Sequence, residues 1–82
     1  METPIGKVTH YYGKPGVAVV ELSSTLKIGD QVKIQDKAEA WSQEITSMEV
    51  NRTPVSEAGA GDEVAVKIDR KAHEGALIVV EQ

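Results

Sequence analysis

An 82-residue chain, read as one domain over residues 1–82, has room for a thin core but none for a deep cleft. It holds no cysteine, which removes disulfide scaffolds, thiolate metal sites and cysteine nucleophiles and fits a reducing, cytoplasmic setting. Its formal net charge of −4 weighs against a general nucleic-acid coat, and no apolar run approaches the ~18 residues of a membrane span.

Along the chain, Met1–Gly6 carry no basic start leading into an apolar stretch, so no secretory leader is expected. Six β-rich runs follow: Ile5–Tyr12, Gly16–Leu22, Gln31–Asp36, Trp41–Val50, Glu63–Ile68 and Ala76–Glu81. Turn residues separate them at Gly13–Gly16, Gly29–Asp30, Asn51–Pro54, Gly59–Asp62 and Gly75. This spacing predicts an antiparallel sandwich or small barrel. The segment Asp36–Glu44 holds helix formers but no apolar stripe, so it reads as a hairpin loop. Alternation sends Val32 and Ile34 one way and Gln31, Lys33 and Gln35 the other; Val64, Val66 and Ile68 likewise share a face. Val17–Val20 is apolar on both faces, which predicts a strand covered on both sides. In the long run, Trp41, Gln43 and Ile45 share one parity while Met48 and Val50 have the other. A bulge or bend near Thr46–Ser47 would send Ile45, Met48 and Val50 inward together. The predicted interior is Val8, Val19, Leu22, Val32, Ile34, Ile45, Val64, Val66 and Ile78 or Val79.

Gly29-Asp30-Gln31-Val32-Lys33-Ile34 is echoed by Gly61-Asp62-Glu63-Val64-Ala65-Val66. The physical reading is turn chemistry: Gly takes positive φ, and Asp bonds local amides. No phosphate-cradling glycine loop occurs, His10 and His73 lack ligand spacing, and no serine has a paired His/Asp motif. No catalytic residue, metal or cofactor is expected, and the chain reads as a non-enzyme.

Positive charge is the remaining lead. Lys67, Arg70 and Lys71 cluster after a strand, with Arg52 as a further candidate for phosphate contact. Tyr11-Tyr12 precedes Gly13-Lys14-Pro15-Gly16; consecutive strand residues face opposite ways, so one tyrosine is exposed beside Lys14 and available to stack on a base or a protein.

Gly16-Val17-Ala18-Val19-Val20-Glu21-Leu22, then Leu26-Lys27-Ile28-Gly29-Asp30-Gln31-Val32, resembles the start of domain II of translational GTPases of the elongation factor Tu and initiation factor two type. Ala58-Gly59-Ala60-Gly61-Asp62-Glu63-Val64 and Leu77-Ile78-Val79-Val80 are similar to that domain's later strands. With Gly6–Tyr12 leading in, the chain also resembles stand-alone elongation factor-like proteins and the C-terminal barrel of collagenase-like peptidases, some relatives of which act in RNA modification. The resemblance implies an all-β, six- or seven-stranded antiparallel Greek-key barrel of the translation-protein type. It implies a binding module touching tRNA or ribosomal RNA, or else a protein-interaction domain serving a peptidase-like or RNA-modifying enzyme. The GTPase domain has no counterpart in these residues, so no GTP binding is expected.

Overall fold

The computed structural model describes residues 4–14, 16–37 and 39–80. Ten antiparallel strands make it up: β1 (Pro4–Tyr12), β2 (Val17–Leu22), β3 (Leu26–Lys27), β4 (Gln31–Gln35), β5 (Ala40–Glu44), β6 (Met48–Val50), β7 (Thr53–Pro54), β8 (Glu57–Ala58), β9 (Glu63–Lys67) and β10 (Leu77–Val80). Eight form one curled sheet in the order β5-β4-β10-β1-β2-β9-β6-β7, and β3 pairs with β8 alone. The class is all-β, a half-barrel, with no helix among the described residues. The strand number exceeds the expected six or seven for two reasons. The run Trp41–Val50 divides into β5 and β6, and three two-residue strands form that are too short to show a period.

That division answers the parity break. Residues 45–47 leave the ladder, and β5 and β6 then join opposite ends of the sheet. Ile45 and Met48 are each about 1% exposed, and Val50 packs against the same core. The bend at Thr46–Ser47 therefore lets one run turn the corner of the barrel. The predicted loop over Asp36–Glu44 is shorter than expected: Asp36 N donates to Glu39 O at 3.0 Å, and Ala40–Glu44 pairs with β4.

Two register shifts bend β1, at Ile5 and at Thr9. The second switches which face of β1 points inward: Val8 is buried before it, and after it Tyr11, not His10 or Tyr12, packs on the core. Val8 opposes Val20, but His10 opposes Val19, and Thr9 Oγ1 donates to Val19 O at 3.3 Å. Val20 and Ala18 are buried in the core, while Val17 and Val19 face outward and are half-buried. The expectation that Val19 lies inside, and that β2 is covered on both sides, is corrected here: Val17 and Val19 share the parity of the exposed Glu21 and face outward with it. Val8, Leu22, Val32, Ile34, Ile45, Val64 and Val66 occupy the core as expected, joined by Leu26, Trp41 and Ile68. Ile78 belongs to this cluster; Val79, next along the strand, is buried on the opposite face.

The echoed turns are chemical twins. Gly29 (φ 97°) and Gly61 (φ 90°) take the left-handed conformation open to glycine. Asp30 Oδ2 accepts from Lys27 N at 3.0 Å, and Asp62 Oδ2 accepts from Gly59 N at 3.0 Å. Each turn then exchanges a reciprocal backbone pair with a strand end. Gly29 N donates to Ile45 O and Ile45 N to Asp30 O, as Gly61 N does to Leu22 O and Leu22 N to Asp62 O. Leu26 and Ala58, which precede the two turns, pair with each other in the β3–β8 ribbon.

Candidate functional site

Strand register sorts the candidate residues into those that meet and those that do not. Tyr12 opposes Val17, and Val17 opposes Lys67, so the three form one row on the outer face. Lys14 is exposed in the turn joining β1 to β2. That turn closes through Gly16 N to Tyr12 O at 3.1 Å and is tied to the end of β9 by Ile68 N to Gly16 O at 3.1 Å. Tyr12, Lys14 and Lys67 therefore share one end of the sheet. Tyr12 is the exposed tyrosine, at 51%, with its ring tilted against His10 at a centroid distance of 4.4 Å. Tyr11 faces the other way and packs against the core. Pro15, in the same turn, lies outside the described residues.

Arg52 does not join them. β6 and β9 run antiparallel with Met48 opposite Val66 and Glu49 opposite Ala65, so the β6–β7 hairpin tip lies beyond the Glu63 end. At the rise of an antiparallel strand it is about 15 Å along β9 from Lys67. Asn51 (φ 52°) and Arg52 (φ 65°) both take left-handed backbone there, as a two-residue hairpin turn requires.

Arg70 and Lys71 sit in the loop after β9, and the loop is anchored by its own ion pairs. Arg70 Nη1 lies 3.2 Å from Glu39 Oε2, so its charge is already partnered, while Lys71 is exposed. Asp36 Oδ2 lies 2.7 Å from His73 Nδ1, and Asp36 Oδ1 accepts from His73 N at 3.3 Å. The Asp36 side chain is only 2% exposed. Its hydrogen bond to the His73 side chain, helped by backbone amides of Lys37 and His73, holds its pKa below the usual value although burial opposes this. Ala72 and Ala76 are buried and fix the loop to the core from within.

One polar residue that composition did not single out organises the other side. Gln43 is 6% exposed and fully bonded. Its Oε1 accepts from Trp41 Nε1 at 2.9 Å and from Asp69 N at 2.8 Å; its Nε2 donates to Lys67 O at 3.2 Å. β5 ends the sheet on one side, so this amide joins it to the end of β9 across the open side of the half-barrel. Its parity with Trp41 and Ile45, a polar residue in an apolar row, is the signal that points to it.

Two open depressions lie on the surface of the described residues. An open groove of about 470 Å³ runs along Lys7, Thr9, Glu21 and Glu74, and a smaller dent of about 220 Å³ lies on the outer face between Val17, Ser47, Glu49, Ala65 and Lys67. Among the described residues no three His, Asp or Glu side chains gather as a metal site would need. The outer face can therefore offer contact surface: a half-buried apolar strip, an exposed tyrosine and two lysines at one end.

Two kinds of likeness to known proteins fit this geometry. Over 72 residues, 87% of the chain, it is 39% identical to an uncharacterized protease of Methanocaldococcus jannaschii; the match spans 18% of that protease's length. The fold superposes on the C-terminal domain of a Geobacillus thermoleovorans protein assigned as a U32 peptidase. The TM-score is 0.90 at 21% identity, covering 99% of this chain and 93% of that domain. The selenomethionine variant of the same domain gives 0.89 at 20% identity, covering 94% and 98%. No family model matches the chain. These likenesses bear on the peptidase-barrel half of the sequence resemblance and lend no support to the elongation factor half.

Proposed function

We propose that this chain is a non-catalytic accessory barrel that works through protein contacts and serves a peptidase of the U32 type. The observation that carries the reading is the 72-residue match to a protease at 39% identity, confined to 18% of that protease. The shared part is this barrel, and the remainder of the relative is where a catalytic body would lie. A half-barrel whose interior is filled by its own side chains, and whose open grooves hold no acid–base pair set against a cavity, suits a docking role. The experiment is a tagged pull-down from native lysate of the source organism, split with and without RNase. Recovery of a U32-type peptidase that survives RNase supports the reading, and its absence from both halves refutes it.

A second reading, local RNA contact, has one observation in its favour: Tyr12, Lys14 and Lys67 meet at one end of the sheet. Two or three phosphate contacts give a shallow salt slope of about −0.7 each on single strands, and a stacked base adds about 1–3 kcal/mol. Charge reversal at Lys14 and Lys67 tests this better than reversal at Arg70, because a glutamate at 70 would face Glu39 and disturb the loop. Under the RNA reading, Lys14→Glu with Lys67→Glu abolishes tRNA binding, while Lys27→Glu with Lys33→Glu weakens it only slightly.

A further inference from the structure

The outer face carries a knob and a hole of matched spacing. The knob is Tyr12 on β1, half exposed and propped by His10. The hole is the dent centred on β9, with Val17 and Ala65 as an apolar floor and Ser47, Glu49 and Lys67 around it. Knob and hole lie in neighbouring rows, two strands apart, with β2 midway between them. At the usual strand spacing that separation is about 10 Å. A twofold axis lying along the outer face of β2 therefore carries each Tyr12 onto the partner's dent, and sets Val17 and Val19 of the two copies against each other. This satisfies the self-complementarity that a twofold interface demands. The chemistry matches as well as the shape. The ring finds apolar floor, and the phenol finds a cation and a carboxylate on the walls.

We propose that this face pairs with a second copy of the same chain, Tyr12 of each entering the β9 dent of the other. The inference goes beyond the accessory role and stands independently of it. Only a few side chains on each copy take part, Tyr12, Val17, Val19 and those lining the dent, so the dimer is weak and reversible. Each copy carries a net charge of −4, so the two repel at long range and added salt tightens the pairing.

Sedimentation equilibrium on the full chain, from about 20 µM to about 2 mM, tests this. The expected result is a monomer–dimer equilibrium with a midpoint near hundreds of micromolar, as small interfaces give. Tyr12→Ala removes the knob and Ala65→Arg fills the hole; each weakens association at least tenfold with an unchanged melting curve. Tyr12→Phe stays close to wild type, since the ring supplies most of the contact. Mixing Tyr12→Ala with Ala65→Arg restores one knob and one hole per pair, so the mixture associates more tightly than either variant alone. Should Ala65→Arg fail to fold, Val17→Lys on the exposed side of β2 serves instead to disrupt the pairing. A wild type monomeric throughout, or a mixture no tighter than its components, overturns the proposal. So does a U32-type peptidase whose binding depends on Tyr12 while the wild type alone stays monomeric.

Discussion

Replacing Gln43 with leucine isolates what one buried amide contributes to closing this barrel. The substitution keeps approximate volume and removes every hydrogen bond. Trp41 Nε1, Asp69 N and Lys67 O then lose their partner. A buried polar group left unpaired costs about 1–3 kcal/mol. Trp41 is 8% exposed and gets little relief from water, whereas Asp69 is exposed and its amide recovers a water bond. The leucine also gains apolar burial worth about 1 kcal/mol over the amide. The net loss comes to about 2–3 kcal/mol, close to half the stability of a small domain. With an m-value near 1 kcal/mol/M in urea, the midpoint falls by about 2–3 M. Urea titration followed by far-ultraviolet circular dichroism measures this without relying on Trp41, whose emission the substitution itself changes. A midpoint shift under about 0.5 M with unchanged m would refute the claim that Gln43 holds β5 to β9.

Gly6→Ala is expected to cost about 1–3 kcal/mol although glycine's φ there is unremarkable, because a Cβ would sit 2.6 Å from Val20 Cγ1 and 3.1 Å from Leu22 Cδ2; thermal melts read the loss. Met48→Asp places an unpaired charge at a 1% exposed position and is expected to cost several kcal/mol, enough to leave the chain unfolded by circular dichroism. The Asp36 carboxylate has a lowered folded pKa, so its contribution is fully present above the unfolded value of about 3.9 and fades as pH falls through the folded one. The stability gap between wild type and Asp36→Asn should therefore shrink as pH falls below about 4, as denaturant titrations at stepped pH would show.

The parts of this fold legible in sequence are those governed by local chemistry or by contrast between faces. The paired Gly-Asp turns are local: each aspartate caps an amide three residues earlier, so the pattern announces the turn wherever it lies. β4 and β9 alternate cleanly, and their buried valines and isoleucine read off directly. β2 is less plain, because Val17 to Val20 are all apolar and only Glu21 marks the outward parity. The extra residue at Thr9 sets the phase of β1 instead, turning Tyr11 to the core and Tyr12 outward. The placement of the charges depends on contacts distant in sequence. Lys67, Arg70 and Lys71 are neighbours in sequence, yet Glu39, thirty-one residues from Arg70, already takes its guanidinium. Tyr12 and Lys67 are far apart in sequence and are brought into one row only by two successive strand registers.

Where the proposed partner would meet this barrel follows from what the fold has already used. The inner face is closed to it, since Val8, Val20, Val32, Ile34, Val64 and Val66 fill it with almost no exposed surface. The Gly-Asp turns spend their amides on Leu22 and Ile45. Gln43 ties the β5 end of the sheet to the backbone after β9. Among the described residues, one surface still open is the outer face of β1, β2 and β9, where Val17, Val19 and Ala65 are half-buried and Tyr12 stands half exposed at the rim. An exposed aromatic next to a polar-walled dent with Val17 and Ala65 at its floor stands to gain from association. A peptidase body and a second copy would then compete for the same rows, and Tyr12→Ala should weaken whichever of the two binds there.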